Sequence, residues 1–465
     1  MSIETLEKHI LEGRNIFLTG AGGTGKTFEL QAMLKKYPAN FVVTSSTGIS
    51  AMGLHELART IHSFSTIGTS SNEQFPTTKC LEYFDYMKER DLNAIIGTKR
   101  LIVEEISMIS ASQLNLIDRV FRRVRKCYNK PFGNIQMIFA GDFLQLESVS
   151  KKDEEKNEFA FQARAWKEAN PVTVYLNEVK RTTNKEFAEL CLRVRTINHT
   201  AADFKLMKSL ENNILVNQPL VLVASNKRAD EENVKQLALL STKKEIYKGK
   251  YRGPKDSFRG IREGLLCPHE LELKEGCRVM ITSNERRYDT QDDRGEPLEY
   301  VNGSLGTFLG GDTRYTTRQF EQFQRDEETN EIIRDSKGRP NKFFDNIQYD
   351  VLCIKLDTGK YIELRRMSWT DGDFIENKDT GKPEWEIEYK QFPVRLAYAI
   401  TIHKAQGLSI ESLEIDCEGI FANSQFYVAL SRARSLEGLK IKNLKGKYIK
   451  ASVDALEFYK NLDGV

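Results

Sequence analysis

Short apolar runs closed by small or polar residues recur early in the chain: Asn15-Ile-Phe-Leu-Thr-Gly20, Asn40-Phe-Val-Val-Thr44, Arg100-Leu-Ile-Val-Glu104 and Asn134-Ile-Gln-Met-Ile-Phe-Ala140. Runs of this kind, with no polar alternation, are the mark of strands buried on both faces of a parallel sheet. Between them the period becomes helical, most clearly over residues 112–126, where Leu114, Ile117, Val120, Phe121 and Val124 form one apolar stripe. The alternation returns in Val172-Thr-Val-Tyr-Leu176, Leu220-Val-Leu-Val-Ala224, Leu413-Glu-Ile-Asp-Cys417 and Leu439-Lys-Ile-Lys442. Strands alternating with helices predict an α/β fold of doubly wound parallel sheets. Two such layers place a cleft between them.

Two stretches break the rhythm. Residues 66–98 are polar, and residues 264–390 combine Gly, Asp and Arg with period-two patterns such as Tyr349-Asp-Val-Leu-Cys-Ile-Lys355. Both read as insertions, the second as a β-rich, barrel-like one. The expected layout is a first α/β domain from 1–65 and 99–171 and a second from 172–263 and 391–465. Residues 325–342, dense in Asp and Glu, read as an exposed hairpin tip or a flexible loop.

A chain of 465 residues with 40% hydrophobic and 29% charged positions has ample material for such cores, and its composition excludes the disordered, collagenous and disulfide-rich classes. The net charge of +3 is uninformative about a polyanionic partner, so any such argument rests on local sites. Seven cysteines, no two closer than ten residues, form neither a zinc cluster nor a disulfide framework and fit a reducing, intracellular compartment. Glu4, Glu7 and Glu12 near the N-terminus argue against a cleavable leader. No apolar run approaches the roughly 18 residues a membrane span needs.

The strongest chemical signal is Gly20-Ala21-Gly22-Gly23-Thr24-Gly25-Lys26-Thr27, between a strand and a helix. Its glycines let backbone N–H groups turn inward around phosphates, Lys26 reaches the terminal phosphate oxygens and the Thr27 hydroxyl ligates Mg2+. A chance match in a chain of this length is expected only about 0.02 times. Glu104 and Glu105 then end an apolar strand where open α/β sheets bind ligands. One carboxylate can hold the metal shell while its neighbour polarises an attacking water.

Ile102-Val-Glu-Glu-Ile-Ser-Met108, Pro131-Phe-Gly-Asn-Ile-Gln136 and Gly141-Asp-Phe-Leu-Gln145-Leu together resemble the signature stretch of the PIF family of superfamily 1B DNA helicases. Thr44-Ser-Ser-Thr47-Gly48, Thr60-Ile-His62-Ser-Phe64, Ala397-Tyr-Ala-Ile-Thr401-Ile-His403-Lys404-Ala-Gln406-Gly407 and Tyr427-Val-Ala-Leu-Ser-Arg432-Ala resemble its other motifs, in order. The resemblance implies two RecA-like motor domains, ATP and Mg2+, with Thr27 and Glu104 on the metal. It implies that Gln145 senses the γ-phosphate, that Arg181 and Arg432 reach the nucleotide from the second motor domain, and that Gly407 lies by it. Thr47, His62, Phe64, Asn226, Thr401 and His403 would line a groove for single-stranded DNA, with Phe64 or His62 offering a stacking surface. The basic positions Arg119, Arg122, Arg123, Arg125 and Lys126 read either as a solvated face or as a DNA patch.

Three positions depart from the family pattern: Glu104 replaces Asp, Ile3 stands where an adenine-reading Gln is usual, and Glu147-Ser148 replaces a pair of prolines. The function implied is an ATP-dependent DNA helicase moving 5′ to 3′, a monomeric motor acting on single strands and forks in replication, repair, recombination or telomere-type maintenance. The β-rich insertion and residues 66–98 would supply a wedge, and replication or repair proteins would be its protein partners. The alternatives are a non-motor ATP-binding regulator and a motor subunit active only within a larger complex.

Overall fold

The computed structural model describes residues 2–37, 41–46, 59–67, 89–147, 158–182, 184–216, 218–253, 267–283, 300, 303–323, 342–376 and 383–462. The chain divides into two compact units, Met1–Val234 with Tyr398–Val465, and Lys235–Ala397.

The first unit holds two parallel sheets. Strands β1 (Ile16–Gly20), β2 (Val42–Ser45), β3 (Arg59–Thr60), β4 (Arg100–Glu104), β5 (Gln136–Gly141) and β6 (Val172–Leu176) form one, in the order β3-β2-β4-β5-β1-β6. Alternate residues of β1 face opposite layers. Phe17 joins Leu101, Val103, Met137 and Phe139 in one cluster, while Ile16 and Leu18 join Ile102, Ile138 and Val174 in the other. Burial on both faces is why these strands read as unbroken apolar runs. The helix Ala111–Val124 covers the first of these faces, and Ser110 and Gln113 close its start as a capping box. The second sheet orders its strands Ala399–Thr401, Leu220–Val223, Leu413–Asp416 and Leu439–Lys442.

Two expected boundaries are corrected. Val172–Leu176, expected to open the second domain, pairs in parallel with β1 and is the edge of the first sheet. The β insertion is wider than 264–390, because Lys244–Lys248 pairs with Glu270–Lys274 and Val394–Leu396 pairs with Arg278–Ile281. Among its described residues this second unit pairs its strands antiparallel, in three sheets of two, five and three strands.

Most of the 66–98 insertion and of the acidic 325–342 tip lie outside the described residues. The helix Glu89–Gly97 is described, and it places Ile95 in the first core. The basic helix face has internal partners. Arg122 holds Asp118 and Glu168, and Arg125 donates to the carbonyls of Ile95, Ile96, Thr98 and Gly133. Among the described residues no helix is long and apolar enough to cross a membrane.

Candidate functional site

Strand β1 delivers Gly20 to the sheet edge, and the loop that follows turns directly into the helix Lys26–Lys36. Two of its glycines are dictated by geometry. Gly25 caps the helix at φ 90°, and a Cβ on Gly23, at φ 86°, would lie 2.7 Å from Cβ of Arg181. The Lys26 ammonium is folded into the loop, donating to the carbonyls of Gly20 at 2.8 Å and Ala21 at 3.1 Å. Burial lowers the pKa of Lys26, while the charges of Asp142 and Glu105 support its protonated form. A helix N-terminus, inward-turned loop and buried ammonium together fit a polyphosphate.

Strand β4 brings Glu104 against that loop, where the Thr27 hydroxyl donates to its Oε1 at 2.6 Å. Burial, reinforced by the neighbouring charge of Glu105, pushes the Glu104 carboxyl up to about 7. Glu105 sits in the left-handed region at φ 53° and accepts from Gln406 Nε2 at 3.0 Å. Gln145 is buried on the loop after β5 and donates its backbone N–H to the Asp142 carbonyl.

The hard oxygens of Thr27 and Glu104 suit Mg2+. No cluster of three or more His, Cys, Asp or Glu capable of holding a metal occurs among the described residues. A cation here would therefore be completed by substrate oxygens and water.

Arg181 requires a correction. Expected from the far side of the cleft, it follows β6 of the first sheet, and its backbone N–H donates to the Gly23 carbonyl, as does that of Lys180. Its guanidinium donates to the Ser431 carbonyl, and burial together with the charge of Arg432 pulls it down to about 9. Arg432 is 2% exposed and donates to Val428 O at 3.0 Å and Ser431 Oγ at 2.9 Å. Two like charges buried beside a phosphate loop leave a region that an anion would relieve. Gly407 is exposed at φ 86°.

Three residues that sequence reasoning missed also serve this region. The Gly22 N–H donates to the Tyr427 hydroxyl at 2.8 Å, Lys180 pairs with Glu29, and Asn423 donates to Glu147. Tyr427 lies within a quoted motif, but nothing local marks its hydroxyl as a partner for residue 22.

The expected strand contacts divide. Thr47 lies outside the described residues. His62 and His403 are half-buried, with burial lowering the pKa of each, so near neutral pH both offer uncharged rings. Asn226 is exposed at the start of the helix Asn226–Ala238, while Thr401 is buried and accepts from the Lys404 N–H.

Phe64 does not offer a stacking surface. It is 1% exposed and packs edge-on against Phe121, ring centroids 5.8 Å apart. An aromatic that is open beside one of these residues is Phe421, 62% exposed, its ring inclined 23° to that of His403 with centroids 6.5 Å apart. Phe64→Ala is thus expected to destabilise the fold by about 3–5 kcal/mol through a core cavity. A denaturant midpoint unchanged alongside a loss of strand affinity would reverse that assignment.

The loop, the carboxylate strand end and the two arginines converge on one region whose amides and cations suit a polyphosphate. A family model described as PIF1-like helicase matches residues 4–201. The chain is 32% identical over 457 residues to the zebrafish (Danio rerio) ATP-dependent DNA helicase PIF1, covering 97% of this chain and 62% of that protein. It superposes on the Pif1 helicase of Candida albicans with TM-score 0.74 at 27% identity, covering 99% of this chain and 98% of the other. It superposes on Bacteroides Pif1 in complex with ADP-AlF3 and single-stranded DNA with TM-score 0.66 at 25% identity, covering 98% and 95%. The chain belongs to the PIF1-like helicase family. It spans less than two thirds of the length of the curated relatives it matches.

Proposed function

We propose that this chain is an ATP-dependent DNA helicase that moves 5′ to 3′ along single-stranded DNA and parts duplex at forks, serving replication, repair or recombination. One observation carries this reading. The phosphate loop that holds Lys26 and the buried Arg432 of the second lobe lie in one compact unit with the half-buried His403 and the exposed Phe421 beside it, so nucleotide and strand contacts share a frame. The names of the relatives support it, and a Bacteroides relative is crystallised with both a nucleotide analogue and single-stranded DNA.

Lys26 and the loop amides hold the phosphates, Glu105 orients and polarises the attacking water, Gln145 contacts the terminal phosphate, and Arg181 and Arg432 neutralise charge developing on the transferred group. Thr27 and Glu104 would hold Mg2+, which when bound supplies further charge neutralisation on the phosphates. His403 and Phe421 offer ring faces to bases, and the exposed Asn226 offers a polar group to the backbone, a contact set indifferent to sequence. Polarity and the splitting of duplex rest on the family alone.

The test is ATP turnover with and without single-stranded DNA. Strand binding that favours a closed arrangement of the lobes is expected to raise the rate on the order of 10-fold or more, as a closure bias of about 1.4 kcal/mol does. The gain should be nearly equal on poly-dT and mixed strands and shrink with added salt. A basal rate unmoved by any strand would leave a DNA-independent ATPase and end the motor reading.

A further inference from the structure

Strands β1 and β5 are neighbours, and their register ends with Thr19 opposite Gly141. Beyond that point one chain becomes the phosphate loop and the other becomes the segment 142–145 that carries Gln145. No ladder bond in that register continues between them. The link is made instead by the hydroxyl of Tyr459, on the helix Val453–Lys460 near the far end of the chain. It shares a hydrogen bond with Thr19 Oγ1 at 2.6 Å and accepts the Phe143 N–H at 3.2 Å. One oxygen thus joins the residue before the phosphate loop to the residue two before Gln145.

The hydroxyl is itself fixed. The Arg195 guanidinium lies 4.6 Å from the centroid of the Tyr459 ring, and it grips both carboxylate oxygens of Asp142, at 2.7 and 3.0 Å. Asp142 in turn accepts the Leu144 N–H, and its carbonyl accepts the Gln145 N–H. Burial opposes the Asp142 charge, yet Arg195 overrides it and keeps the carboxyl below its ordinary range. Burial keeps the Tyr459 phenol protonated. Every group in this chain of contacts is buried, so its geometry is held by partners and not by water.

We propose that Tyr459 is a positioning residue for hydrolysis: its hydroxyl sets the distance between the phosphate loop and the Gln145 segment, and Arg195 holds that hydroxyl in place. The proposal rests on the nucleotide-hydrolysing reading of the site. Catalytic groups must be held to within about 0.5 Å, and a misplacement near 1 Å can reduce turnover about 100-fold. A tether at the root of both segments is placed to control that tolerance.

The experiment compares Tyr459→Phe, Thr19→Val and the double variant, each removing one side of the shared bond while keeping its shape. The readouts are ATP kcat and KM with saturating single strand, the dissociation constant of fluorescent mant-ADP, and Tm. Tyr459→Phe is expected to lower kcat about 10-fold with KM and mant-ADP affinity within about two-fold. The double variant should be no slower than the slower single, since both remove one link. Wild-type kcat in Tyr459→Phe, with only Tm reduced, would assign the hydroxyl a structural role and overturn the proposal, as would losses that multiply in the double variant. Should Tyr459→Phe fail to fold, Thr19→Val must show the same split between kcat and KM or the proposal falls. A wild-type chain that turns over no nucleotide removes the hydrolytic reading and this inference with it, a result distinct from an active wild type beside an unimpaired variant.

Discussion

Lys26→Ala is expected to reduce ATP turnover at least about 100-fold while leaving the protein folded. The ammonium is the one positive charge inside the loop, held by the carbonyls of Gly20 and Ala21 and supported by the charges of Asp142 and Glu105. Removing it deletes a charge aimed at the phosphates, where charge redistributes as the terminal group transfers. The fold should tolerate the loss, because the ammonium is desolvated and its burial already works against its charge. Turnover and mant-ADP binding are to be read beside the circular dichroism melt. A variant keeping more than about a tenth of wild-type turnover with an intact melt would show that the loop is not the hydrolytic site.

The contrast between Lys26 and Tyr459 explains what was legible in the chain. The phosphate loop announces itself because backbone amides can line a phosphate only where glycines permit φ near 90°, as at Gly23 and Gly25, and those glycines sit within eight residues of the lysine. The parallel strands announce themselves because burial on both faces, seen in Phe17 against Ile16 and Leu18, demands unbroken apolar runs. Tyr459 carries no such signal. Its partner Thr19 lies 440 residues away, and a Tyr at helical spacing in an apolar stripe is indistinguishable from ordinary core.

Pairing partners were hidden for the same reason. Val172–Leu176 has the composition of a buried strand whichever sheet receives it, and its pairing with β1 moves Arg181 to the near side of the nucleotide region. Phe64 was misjudged because its enclosure comes from Phe121, on a helix that only the fold brings to it. Phe421 carries no signal for the converse reason: an isolated aromatic between sheet strands is conspicuous only once the His403 ring is seen near it.

Arg432→Ala is expected to lower turnover about 1,000-fold while weakening nucleotide binding no more than about three-fold. The guanidinium is fully enclosed, oriented by Val428 O and Ser431 Oγ, and close enough to Arg181 that their charges oppose one another. An anion entering between them gains from both, and gains most as negative charge spreads over the transferring group, so the loss should fall on kcat. Arg432→Lys separates charge from geometry. The lysine keeps a positive charge but has no planar fork to be held by two acceptors while facing a third, so it should recover only a small part of the rate. Single-turnover hydrolysis and mant-ADP titration on both variants, with Arg181→Ala in parallel, measure the two losses separately. Equal losses in affinity and turnover would make Arg432 a ground-state phosphate ligand. Full recovery by lysine would mean that charge alone, and not the fork that Ser431 and Val428 orient, is what the second lobe supplies.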